Sequence, residues 1–118
     1  MSQSFAISVP AEDTELREEI EEQLSAYARV NDATRSFTDL NQIKLIVEIL
    51  AGVTAIGVGT TTIAVNTTKI IEFLLMLKDR YEKKKKPSGI RIAAPGKDDV
   101  PLDEVDAAIL KRILGLVR

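Results

Sequence analysis

The first patterned segment of the chain is Phe5–Val9, in which larger apolar residues alternate with small ones. Its apolar positions are Phe5, Ile7 and Val9. Because side chains of a strand alternate between its two faces, this period of two predicts a short, half-buried β-strand. Pro10 lacks a backbone N–H, so we expect the strand to end there.

Between Glu12 and Val30, apolar residues recur at helical spacing. They are Leu16, Ile20, Leu24 and Tyr27, at i, i+4, i+8 and i+11. This spacing predicts an amphipathic helix, and glutamates fill most of its remaining positions. The polar residues Asn31–Ser36 predict a loop. Alternatively, Arg35–Thr38 form a short strand.

The middle of the chain is apolar on most sides. Thr38 and Asp39 are good helix N-caps, and the mainly apolar residues from Ile43 to Leu50 are typical of a buried helix. A second apolar stripe predicts another helix over Thr61–Lys85, ended by Pro87. With a break near Gly57–Gly59, the two segments are expected to form a central apolar helical hairpin.

The C-terminal part predicts two short strands and a helix. Ile90–Ala93 and Asp99–Leu102 flank a turn at Pro95–Gly96, as in a β-hairpin. Asp103 is a candidate N-cap for a helix that extends to Leu116. We therefore expect one α+β domain over residues 1–118, with a small two- or three-stranded sheet and four helices around the apolar hairpin.

Composition narrows the function classes. The chain has 118 residues, no histidine, no cysteine and a net charge of −2. These absences remove the commonest general base, the nucleophilic thiol and the usual zinc ligands, so we expect neither an enzyme nor a cofactor or metal site. The negative net charge also argues against a nucleic-acid partner.

Three glycines, Gly52, Gly57 and Gly59, are the first candidate site. Gly52 and Gly57 have the spacing of a phosphate-binding loop, but Val58 and Gly59 stand where that motif needs Lys and Ser or Thr. Without the lysine, we interpret these glycines as residues of a helix turn or of close packing.

The uncharged run Ile49–Thr68 is the second candidate. It is long enough to cross a bilayer as a helix, and Ala55 and Gly59 have the small-xxx-small spacing of membrane helix pairs. Against this, it is rich in threonine and glycine. We favour burial in a protein core and keep membrane association through residues 49–68 as the alternative.

The third candidate is a basic contact patch of four consecutive lysines, Lys83, Lys84, Lys85 and Lys86. Such a run can contact phosphates or an anionic lipid surface. It is more commonly a solvated helix end, where cations face the negative end of the helix dipole. No aromatic residue is interleaved for base stacking.

The order of elements resembles the bacterial effector-associated constant component family. The corresponding segments here are FAISVP, ELREEIEEQLSAYARV, LIVEILAGVTAIGVGTTTIAV, LLMLKDRYEKKKK, IRIAAPG and VPLDEVDAAILKRILGL. The resemblance covers nearly the whole chain, through patterns of composition rather than a catalytic motif. It implies a non-enzymatic partner of peptidase- or NTPase-type effectors in bacterial conflict systems, and it carries over no functional residues.

Together, these patterns favour a cytoplasmic protein–protein adaptor that binds a protein partner, with self-association into a homo-oligomer as a further expectation.

Overall fold

The structure is a computed structural model, and it describes residues 3–32, 42–50, 52–53, 60–61 and 63–114. Its strands are β1 (Gln3–Pro10), β2 (Ala28–Asp32), β3 (Gln42–Ile49), β4 (Gly52–Val53), β5 (Thr60–Thr61), β6 (Arg91–Ala93) and β7 (Val100–Pro101). Its helices are α1 (Thr14–Leu24), α2 (Ile63–Lys84), a 3₁₀ turn (Leu102–Glu104) and α3 (Ala107–Ile113).

Five of the strands form one antiparallel sheet in the order β2-β3-β1-β6-β7. β1 and β2 run in the same direction on either side of β3, and α1 connects them. β3 and β6 likewise flank β1, and the connection between them contains α2. Two such split β-α-β units make up the connectivity of ferredoxin-like folds. The α+β class expected from the sequence is confirmed.

One face of this sheet is buried against the helices. Phe5, Ile7 and Val9 of β1 belong to the same hydrophobic cluster as alternate residues of β3. The members from the α-helices are Leu16, Ile20, Leu24, Ile70, Ile71, Leu74, Leu77, Tyr81 and Leu110, and Leu114 joins them from the C-cap of α3. Because each fully buried Leu or Ile stabilises the fold by about 1.5–3 kcal/mol, this layer is the main stabilising feature.

The opposite face of the sheet carries the residues that alternate with the core-facing ones along each strand. Ala6 lies between Ile46 on β3 and Ala93 on β6, and Ser8 lies between Lys44 and Arg91. Ala6, Ser8 and Ala93 are themselves buried. β1 therefore alternates as predicted, but it is buried on both faces rather than on one.

The first predicted helix is too long. α1 ends at Leu24, where the Ser25 amide donates to the carbonyl of Glu21, and a turn leads into β2. Tyr27 fits the helical stripe by spacing alone, and Arg29, inside the predicted helix Glu12–Val30, lies in a strand. β2 forms because Val30 pairs with Val47 and packs against the core as part of the sheet. The predicted loop over Asn31–Ser36 therefore begins inside a strand, and the alternative strand over Arg35–Thr38 lies outside the described residues.

The first arm of the predicted helical hairpin is wrong. Gln42–Ile49 is a strand that pairs with β1 along its whole length. Its core-facing residues are Ile43, Leu45, Val47 and Ile49, which is a strand alternation. Ile46, on the other face, completed a nearly continuous apolar run and concealed that alternation. The described residues consequently contain more strands and one helix fewer than expected.

The second arm is a helix. α2 occupies Ile63–Lys84, close to the predicted Thr61–Lys85. Its first turns are tied to β3 by Asn66, a buried residue whose side-chain amide donates a hydrogen bond to the Leu50 carbonyl. This contact satisfies a backbone acceptor just beyond the end of β3.

The predicted C-terminal hairpin is confirmed as the pairing of β6 with β7. The last helix, however, begins later than expected. Asp103 lies in the 3₁₀ turn, and its carboxylate accepts a hydrogen bond from the Ser88 amide. Asp106 is the N-cap of α3, since its side chain accepts from the Ile109 amide at 2.9 Å. The described part of α3 is seven residues long.

Gly89 and Gly96 provide a matched test of backbone strain. Both have positive φ, +73° and +74°. A Cβ at position 89 would lie 2.7 Å from Pro10 Cγ, whereas a Cβ at position 96 would meet nothing within 4 Å. We expect Gly96→Ala to lower the free energy of unfolding by about 1 kcal/mol through strain alone. Gly89→Ala should lower it by about 3 kcal/mol, because overpacking adds to the strain. Urea denaturation measures both, and equal losses would show that the contact with Pro10 is unimportant.

Candidate functional site

The basic contact patch lies at the C-terminal end of α2, where Lys85 adopts a left-handed backbone with φ of +55°. The Lys85 amide donates to the Glu82 carbonyl, and the Lys86 amide donates to the Tyr81 carbonyl. These two bonds are those of a Schellman motif, which usually has glycine at the left-handed position. The lysine run is therefore a structured helix end.

The lysines of the patch have different surroundings. Lys83 Nζ lies 3.1 Å from a carboxylate oxygen of Asp79. Lys84 and Lys86 place their ammonium groups 5.5 and 5.8 Å from the centre of the Tyr81 ring. Both distances are within the range of cation–π attraction. The side chains thus curl back over α2, and whether the patch binds a partner remains a prediction.

A polar cluster next to this patch joins α1 to α2. Arg80 donates to both carboxylate oxygens of Glu19 at 2.7 and 2.8 Å. The hydrogen bond from Arg80 is the main reason why the pKa of Glu19 is lowered, and it raises the pKa of Arg80 in turn. A bidentate pair of this kind fixes the orientation of both side chains.

Tyr81 and Asp13 complete the polar cluster. The Tyr81 hydroxyl lies 3.5 Å from Asp13 Oδ2, and Asp13 Oδ1 caps α1 by accepting from the Leu16 amide. Burial raises the pKa of the Tyr81 phenol, and the negative charge of Asp13 raises it further. The phenol is therefore neutral at physiological pH.

The polar cluster borders a cavity of about 270 Å³, but its side chains already have structural roles. Asp13 caps a helix, and Glu19 and Arg80 neutralise each other. A catalytic carboxylate needs instead to converge with other groups on a substrate position. Within the described part of the chain, no group of three acidic residues is placed to hold a metal ion.

The three candidate glycines are only partly covered by the structure. Gly52 lies in β4, which pairs with β5 through Gly52–Thr61 and Val53–Thr60. Gly57 and Gly59 lie outside the described residues. The break predicted near Gly57–Gly59 is likewise outside them.

The described residues of the uncharged run 49–68 belong to several different elements. Ile49 ends β3, β4 and β5 pair with each other, and the last residues of the run belong to α2. Of the helices in the described segments, none is long and apolar enough to cross a membrane.

A different surface feature lies at the β7 edge of the sheet. α3 and the β6–β7 hairpin enclose a groove of about 310 Å³, here called the terminal groove. Its aliphatic walls are Ile92, Ala94, Val100, Ile109 and Ile113, and its charged side chains are Lys97, Asp98 and Arg112. Ile109 is 36% exposed, a large value for an isoleucine next to other aliphatic residues. An apolar patch with a charged rim is typical of a binding surface.

The sequence does not reveal the terminal groove, because Val105, Ile109 and Ile113 recur at i, i+4 and i+8, a spacing that predicts a buried helical stripe. In the structure, Leu110 and Leu114 are buried instead. Val105, which shares the spacing of Ile109 and Ile113, precedes α3 and is buried outside the helix. The signal in the sequence was the adjacent apolar pairs Ile109-Leu110 and Ile113-Leu114, which make an apolar face wider than one stripe needs.

Comparisons with protein-family models, curated proteins and solved structures found no match to this chain. The topology and the surface geometry therefore carry the functional argument.

The Schellman end of α2 gives one prediction. Replacing Lys85 by glycine relieves the left-handed strain of about 1–2 kcal/mol, which is partly offset by the greater backbone freedom of glycine in the unfolded chain. We expect Lys85→Gly to raise the free energy of unfolding by about 0.5 kcal/mol. The matched variant Lys84→Gly, at the last residue of α2, should lower it by about 0.5 kcal/mol, because glycine adds backbone freedom to the unfolded chain there without relieving strain. Urea denaturation measures both, and destabilisation by Lys85→Gly would contradict this description of the helix end.

The Glu19–Arg80 pair gives a second prediction. Because folding lowers the pKa of Glu19, its stabilising contribution is present above about pH 4.3, the pKa of an unperturbed glutamate, and is lost as pH falls through the folded-state pKa. We expect Glu19→Gln to lower the free energy of unfolding by about 1 kcal/mol at pH 7, since solvent screens this pair, whose side chains are 35% and 31% exposed.

The control for this prediction is Glu18→Gln, which removes the same charge at an exposed neighbouring position. In urea denaturation, the loss of unfolding free energy caused by Glu19→Gln should become smaller as the pH falls from 7 to 3. An equal effect of the two variants at pH 7 would assign the loss to net charge rather than to the pair.

Proposed function

We propose that this chain is a non-enzymatic protein–protein interaction module that acts as a cytoplasmic adaptor. The observation that carries the proposal is the terminal groove, where exposed Ile109 adjoins Val100 and Ile113 at the surface. Keeping aliphatic side chains in water is unfavourable, and such patches on soluble proteins commonly mark protein-binding sites.

The arrangement of polar side chains supports the same proposal. Asp13 and Asp106 cap helices, and Glu19 and Arg80 pair with each other. Each of these groups takes part in a contact within the chain that stabilises the fold. The terminal groove is therefore suited to binding a protein rather than to catalysis. The family resemblance suggests a peptidase- or NTPase-type effector as the class of partner.

The test has a chemical arm and a binding arm. Purified protein should show no hydrolysis of peptides, phosphate esters or nucleotides. A hydrolysis rate that Tyr81→Phe or Glu19→Gln abolishes would make the polar cluster an active site and would overturn the proposal.

In the binding arm, partners are fixed by chemical cross-linking in cells, and each is then purified separately. We expect at least one to reform a defined complex with the purified chain, measured by light scattering after size-exclusion chromatography. The same measurement on the chain alone gives its oligomeric state. If no cross-linked protein reforms a complex from purified components, the adaptor proposal fails.

A further inference from the structure

We draw no further inference here: the strongest candidate, the apolar terminal groove between α3 and the β6–β7 hairpin, carries nothing beyond the proposed function, because nothing in the described part of the structure shows what covers it.

Discussion

The antiparallel pairing of β1 with β3 is the constraint on which the other elements depend. It joins eight residue pairs, from Gln3–Ile49 to Pro10–Gln42. This register places Phe5 and Ile7 beside Val47 and Leu45 on the face under the helices. A slip of one residue would turn Lys44 and Glu48 towards the helices, and an unpaired buried charge is far more costly than an exposed one. The hydrophobic pattern of the two strands therefore selects the register.

The position of β1 and β3 at the centre of the sheet leaves β2 and β7 as its edges. Both edge strands are poorly suited to pairing with another chain. β2 exposes Arg29, Asn31 and Asp32, and β7 ends at Pro101, which has no backbone N–H to donate. Charged residues and proline at edges are common protection against edge-to-edge association. A side-chain surface such as the terminal groove is therefore better suited to binding than the backbone of either edge.

How much of the fold the sequence predicts depends on how many residues carry each pattern. β1, α2 and the β6–β7 hairpin have clear periodicity or turn residues, and their predictions are close to the observed elements. The sequence of β3 predicts a helix because Ile46, on the second face, interrupts its alternation of apolar and polar residues. β2 offers only Val30 as an inward apolar residue of any size, so its strand character depends on pairing with β3, a contact that a single sequence does not reveal.

The surface features also divide into those that the sequence predicts and those that depend on tertiary packing. The lysine run was evident from the sequence, whereas its contacts with Tyr81 depend on the left-handed backbone at Lys85. Glu19 and Arg80 are 61 residues apart and meet only because both α1 and α2 cover one face of the sheet. The terminal groove likewise needs α3 to lie against the hairpin. Local pattern therefore predicts surface composition, and tertiary packing decides which of those residues share a site.

The shape of the terminal groove follows from the shortness of α3. A helix of about two turns is unstable by itself in water, so tertiary packing must hold it in place. Leu110 and Leu114 provide that packing by entering the core, where both are almost fully buried. Ile113, one position away from Leu114, is only partly buried against that core. Ile109, one position away from Leu110, lies beside the hairpin and stays exposed. The burial that anchors α3 is thus the same feature that leaves Ile109 at the surface, and a partner that covers Ile109 would stabilise α3 together with the complex.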